Sequence, residues 1–186
     1  MLKGIGAIAA LALIFGTSVQ ATTYNLNLTP GTGSVAGYIQ TDGTVGQLVG
    51  GNIMDWSLTI TTNGGFETID MANSAMSYFA GSTALSATSS QLIFDFSDPT
   101  GDFLLFQGGT FSATFLCVQS SSSCGGGPPG FSIGRAAGGG NTDNEAVSGE
   151  VAFADAAPVP LPAAGMSLVL GLAGLGALAR RRRSSV

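Results

Sequence analysis

Trp56-Ser57-Leu58-Thr59-Ile60 alternates large apolar with small polar side chains. A period of two places Trp56, Leu58 and Ile60 on one face and Ser57 and Thr59 on the other, the signature of a half-buried strand. The pattern recurs outward in both directions. Tyr24, Leu26 and Leu28 alternate with Asn25 and Asn27, Leu92, Phe94 and Phe96 flank Asp95, and Phe111, Ala113, Phe115 and Cys117 alternate with Ser112 and Thr114. A last strand uses Val147, Val151 and Phe153. Between these runs stand Thr41-Asp42-Gly43, Asn63-Gly64-Gly65, Asp98-Pro99-Thr100-Gly101 and Gly108-Gly109, residues that tolerate positive φ or preset a turn. No stretch of the middle region carries a helical period. The expected fold is all-β, an antiparallel β-sandwich or jelly roll.

Charge is scarce and unevenly placed. All eleven acids lie between Asp42 and Asp155, and the only base in that interval is Arg135, so the region carries about −10. Nucleic-acid affinity needs Lys and Arg to displace counterions from phosphates, and a field of this sign excludes nucleic acid as a partner. The chain has no His. Its only Lys is Lys3, so His-based triads, His-ligated zinc and Lys Schiff bases are closed to the β domain.

The two ends differ from the middle. Met1 to Ala21 reads as a signal peptide: Lys3, the apolar run Ile5 to Phe15, then small residues ending Val19-Gln20-Ala21. Val19 and Ala21 suit a signal peptidase cut before Thr22, which implies the Sec machinery and signal peptidase as partners. The eleven residues of the apolar run are too few to cross a bilayer core. At the other end, residues 154–158 read as a linker, followed by Val159-Pro160-Leu161-Pro162-Ala163, an uncharged stretch to Ala179, and Arg180, Arg181, Arg182 and Arg183. Residues 163–179 make a transmembrane helix of about 25 Å, just long enough to span with snorkelling arginines. The four arginines resist translocation, keep the tail cytoplasmic and leave residues 22–153 outside as one β-rich domain. Two prolines two residues apart hold the entrance extended, the form in which a protease or transpeptidase takes its substrate.

Motif, apolar segment and arginine cluster, in that order over residues 159–186, resemble the PEP-CTERM sorting signal in its VPLPA variant, matched letter for letter by Val159, Pro160, Leu161, Pro162 and Ala163. The stretch Gly33 to Thr62 also looks like a segment of exported domains that carry such tails. The resemblance implies an exosortase, a membrane-embedded cysteine transpeptidase that cuts near the motif. It implies a Gram-negative cell, a membrane-anchored precursor, and a product at the cell surface or outside.

Cys117 and Cys124 are the only cysteines, and in an exported chain they are expected to form a disulfide across a Ser-rich turn. Redox work is the weaker reading, because the spacing is not Cys-x-x-Cys and no base stands nearby. Two acidic turns, Asp98 to Asp102 and Asn141 to Glu145, offer Asp98, Asp102, Asp143 and Glu145 as oxygen ligands for Ca²⁺. Neither matches a known loop pattern, so ordinary solvated turns are the simpler expectation and no cofactor is required. No carboxylate spacing marks a glycosidase pair. The sequence thus leads to a non-enzymatic surface or extracellular-matrix protein with no catalytic residues. The rival is a module binding envelope polysaccharide or another ligand through an exposed Trp56, Tyr38 or Tyr78, with a hydrolase a distant third. Trp56 itself is expected in the core.

Overall fold

The computed structural model describes residues 20–78, 83–108, 114–121, 124, 127–135 and 141–158. The chain divides into two units, Met1–Ala156 and Ala157–Val186, and all the elements below belong to the first. Among the described residues they are thirteen strands: β1 (Thr22–Leu28), β2 (Ser34–Thr41), β3 (Gly46–Gln47), β4 (Ile53–Thr62), β5 (Gly65–Asp70), β6 (Ser74–Tyr78), β7 (Leu85–Ala87), β8 (Gln91–Asp95), β9 (Phe103–Gly108), β10 (Thr114–Gln119), β11 (Gly130–Arg135), β12 (Asn141–Ala146) and β13 (Glu150–Ala156). One 3-10 turn, Gly50–Asn52, precedes β4.

The strands form two antiparallel sheets. Eight take the order β3-β7-β8-β13-β1-β2-β4-β5, and five take the order β12-β11-β10-β9-β6. The all-β, antiparallel architecture expected from the alternation is therefore present, in two sheets consistent with a sandwich. Trp56, Leu58 and Ile60 point inward from β4, joined by Tyr24 and Leu26 from β1 and Leu92 and Phe94 from β8. Each such side chain stabilises the fold by roughly 1.5–3 kcal/mol on leaving water.

The second sheet lies across the first at a steep angle. Moving along β5, Gly65 approaches Arg135 of β11, Glu67 accepts a hydrogen bond from Thr114 of β10, Ile69 packs on Gly108 of β9, and Asp70 accepts a hydrogen bond from Ser74 of β6. One strand thus meets four successive strands of the other sheet, which places their directions nearer perpendicular than parallel. The larger sheet also coils. Thr41 and Gly46 are joined by chain that reaches at most about 17 Å, whereas the five strand steps from β2 to β3 would need about 24 Å in a flat sheet.

Several boundaries differ from the sequence reading. Ala154, Asp155 and Ala156, read as linker, belong to β13 and pair with β1 and β8. Asn141 to Glu145, read as an acidic turn, belongs to the edge strand β12 and pairs throughout with β11. Val147 precedes the last strand and donates its N–H to Pro129 O at 3.0 Å. Phe96 ends its run in a turn, although it stays buried. Phe111, Ser112, Ala113 and Gly109 lie outside the described residues.

Candidate functional site: the chain ends and the disulfide loop

Both ends of the domain emerge at the same end of the larger sheet. β1 and β13 are neighbours running antiparallel, with Tyr24 opposite Ala156 and Leu26 opposite Ala154. Gln20 and Ala21 are exposed, and Thr22 is the first strand residue. The expected cleavage position, Ala21-Thr22, therefore sits on accessible chain where pairing begins. Ala156 ends β13, and only Ala157 and Pro158 separate it from the motif. Val159, Pro160, Leu161, Pro162, Ala163, the 163–179 segment and Arg180, Arg181, Arg182 and Arg183 lie outside the described residues. Among the described residues no helix is long and apolar enough to cross a membrane.

Cys117 and Cys124 are bonded, with their Cα atoms 6.2 Å apart. Cys117 is fully buried on β10. The loop they close is organised by Gln119, also fully buried. Its amide Nε2 donates to Gly127 O at 3.3 Å and Pro128 O at 3.2 Å, and its Oε1 accepts from Cys124 N at 2.9 Å. A buried amide with such partners avoids the cost of an unpaired polar group and fixes the loop's path. Beyond it Phe96, Pro128, Pro129, Ala146, Val147 and Ser148 line an open pocket of about 310 Å³. Sequence reasoning found the cysteines and missed Gln119. Its position two residues past Cys117, on the same face of one strand, was the available signal.

The four acidic Ca²⁺ candidates do not come together. Asp98 and Asp102 converge on Thr83, where Asp98 Oδ2 accepts from Thr83 Oγ1 at 2.8 Å and Asp102 Oδ2 accepts from Thr83 N at 2.9 Å and Ala84 N at 3.3 Å. Asp98 also accepts from the hydroxyl and N–H of Thr100, and these bonds, with the one from Thr83, hold its pKa below the ordinary carboxylate value. Asp102 is wholly buried, and its Oδ1 has no hydrogen-bond partner. Asp143 is on β12 and pins the β1–β2 turn through Thr32. Glu145, two residues further on, is exposed. Among the described residues no three acidic or cysteine side chains are grouped to hold a metal ion.

The aromatic residues are similarly engaged. Trp56 is 6% exposed, donates Nε1 to Ser74 Oγ at 2.9 Å and packs on Phe106 at 5.4 Å between ring centres. Tyr38 donates its hydroxyl to Asp55 Oδ2 at 2.9 Å, a bond that raises its pKa. Tyr78 accepts from Leu85 N at 3.3 Å. Compared with family models, curated proteins and solved structures, the chain matches none.

Proposed function

We propose that the chain is an exported, non-enzymatic surface or extracellular-matrix protein whose C-terminal segment delivers it to an exosortase. The observation that carries this reading is one of fit. Among the described residues, strand pairing runs from Thr22 to Ala156, an interval that fits between the expected leader cut and the Val159–Ala163 motif. The Cys117–Cys124 bond suits an oxidising compartment outside the cytoplasm. The ligand-binding alternative asks for a free aromatic platform. Trp56 belongs to the core, and Tyr38 and Tyr78 hold hydrogen bonds within the domain, so a structural role ranks first. The hydrolase reading is weaker still, because the carboxylates meeting at Thr83 are buried.

The test is mass spectrometry of the mature termini in cells with and without the sorting enzyme. An N-terminus at Thr22, and a C-terminus near Pro160 that depends on the enzyme, are expected. An intact tail through Val186 in enzyme-containing cells would replace sorting with plain anchoring.

A further inference from the structure

Among the described residues the exposed large apolar side chains are Val45, Val49, Met54, Phe66 and Met71. Three of these, Val45 and Val49 in the β2–β4 connection and Met54 at the start of β4, fall within ten consecutive residues, and local hydrogen bonds tie the segment together. Asp42 N–H donates to Asn52 O at 2.9 Å, just beyond the Thr41–Ile53 pair that ends the β2–β4 ladder. Thr44, next to Val45, donates its N–H to Asp42 Oδ1 at 2.9 Å. Val49 donates its own N–H to Asn52 Oδ1 at 2.7 Å. Met54 follows Ile53 directly. Leu48, between the two valines, is fully buried and donates its N–H to Leu85 O at 2.9 Å. The loop therefore plugs the core with Leu48 and holds Val45 and Val49 outward at 66% and 54% exposure.

The location of this knot gives it meaning. Thr41 pairs with Thr22, and Tyr24 pairs with Ala156, so the chain leaves the domain two strands away from the knot and two residues along. That separation is about 12 Å at standard sheet spacings. From Ala156 the apolar stretch beginning at Ala163 is seven residues away, at most about 25 Å of extended chain. From Gly43 to Met54 there is no charged residue.

We propose that this end of the sandwich is a membrane-resting surface, with Val45, Val49 and Met54 bedded in the lipid headgroup and acyl boundary of the bilayer that holds the tail. The inference rests on the reading of residues 163–179 as a membrane span and adds to it a specific orientation of the folded domain. A tether of this length lets the knot reach the bilayer, and three apolar side chains without basic neighbours favour the interface through burial, not through attraction to anionic lipid. Asp42, whose carboxylate is held ionised by Thr44 and Asn52, disfavours anionic headgroups further. Phe66 lies at the opposite end of β4, across from Thr61, and serves as the internal control.

The experiment uses the full chain in phosphatidylcholine vesicles, with a polarity-sensitive fluorophore on Val49→Cys, on Val45→Cys as a second variant, or on Phe66→Cys. Labels at 45 and 49 should be quenched by lipid-borne nitroxide and shielded several-fold from aqueous iodide relative to the label at 66. Adding phosphatidylglycerol should not strengthen the protection. If the protein floats with the vesicles but the 45 and 49 labels are as open to iodide as the 66 label, the resting surface is refuted and the span survives. If the protein does not float at all, both fall together.

Discussion

Thr32, in the turn between β1 and β2, donates its backbone N–H and its hydroxyl to the same oxygen of Asp143, Oδ1, at 3.2 and 2.8 Å. Asp143 sits on the outer strand of the smaller sheet, so this pair fastens a turn of one sheet to the edge of the other. The sequence offers Asp143 as a cation ligand, whereas the fold uses its charge on donors of the chain itself. Asp143→Ala should destabilise the domain by about 1 kcal/mol, the range of a charge-assisted bond at an exposed site. The urea midpoint of the variant against that of the parent reads this directly, and an unchanged midpoint would mean that the clamp contributes nothing.

Gln119, the last residue of β10 before a Ser-rich loop, should matter more than its place at a strand end suggests. Gln119→Leu leaves Cys124 N–H and the carbonyls of Gly127 and Pro128 without their partner, at about 1–3 kcal/mol. Opening the disulfide with Cys117→Ser and Cys124→Ser should cost about 2–3 kcal/mol, since the loop it closes is short. Because both changes loosen one loop, the triple variant should lose less than the sum. Full additivity in denaturant melts would show that Gln119 and the disulfide act on separate structures.

Acid should weaken the fold through Asp42 and Asp98. Asp42 is held below its ordinary value first by Thr44 N–H and then by Asn52, and Asp98 first by the Thr100 hydroxyl and then by Thr100 N–H and Thr83. A carboxylate with a lowered folded-state pKa contributes stability that is complete above its unfolded value, about 4, and is lost as pH falls through the lower folded value. Stability should therefore be flat near neutrality and decline below about pH 4. Asp98→Asn should be less stable at pH 7 and show a shallower acid decline. An equally steep decline in that variant would remove Asp98 from the account.

Legibility in the sequence followed the physics of each strand. β1, β4 and β8 announced themselves because one face meets the core and the other meets water, so apolar and polar residues alternate. β11, Gly-Phe-Ser-Ile-Gly-Arg, did not, because Gly130 through Gly134 are all buried and the faces differ in size, not polarity. Gly134 is small because the ring of Phe115 occupies the space a side chain would take. β12 is polar over nearly its whole length, as an edge strand tolerates, and so read as an acidic turn. Of the candidate sites, the disulfide was legible from two cysteines alone, whereas Gln119 acts through backbone groups of the loop just after it and Thr83 through carboxylates 15 and 19 residues away.

Trp56 is the only tryptophan and reports on the core without interference. Its emission should be blue-shifted and shielded from iodide in the native state, and should shift red in one cooperative step on unfolding. Glycan titration should leave it unmoved, since a 6% exposed indole bonded to Ser74 offers no stacking face. A saturable change with any polysaccharide would revive the binding-module reading. Trp56→Phe keeps the packing on Phe106 but drops the bond to Ser74, and should cost about 1 kcal/mol.

The last strand to leave a ribosome or translocon is also the one that joins the larger sheet. β13 lies between β8 and β1, so without it β3-β7-β8 and β1-β2-β4-β5 are separate ribbons with facing open edges. It also brings Phe153 and Ala154 into the core, where Phe153 neighbours Phe131 at 6.3 Å between ring centres. A chain ending at Pro158 keeps all of β13 and should fold with the parent's cooperativity. A chain ending at Gly149 should lack a cooperative transition, because a half-sheet cannot offset its backbone ordering cost of about 1–2 kcal/mol per residue. Adding the peptide Glu150–Pro158 to that shorter chain should restore the blue-shifted Trp56 emission in a saturable way, with the ordering of β1 against β8 supplied in trans. If the Gly149 chain folds unaided, β13 is dispensable, and closure of the sheet does not wait for the segment that adjoins the tail.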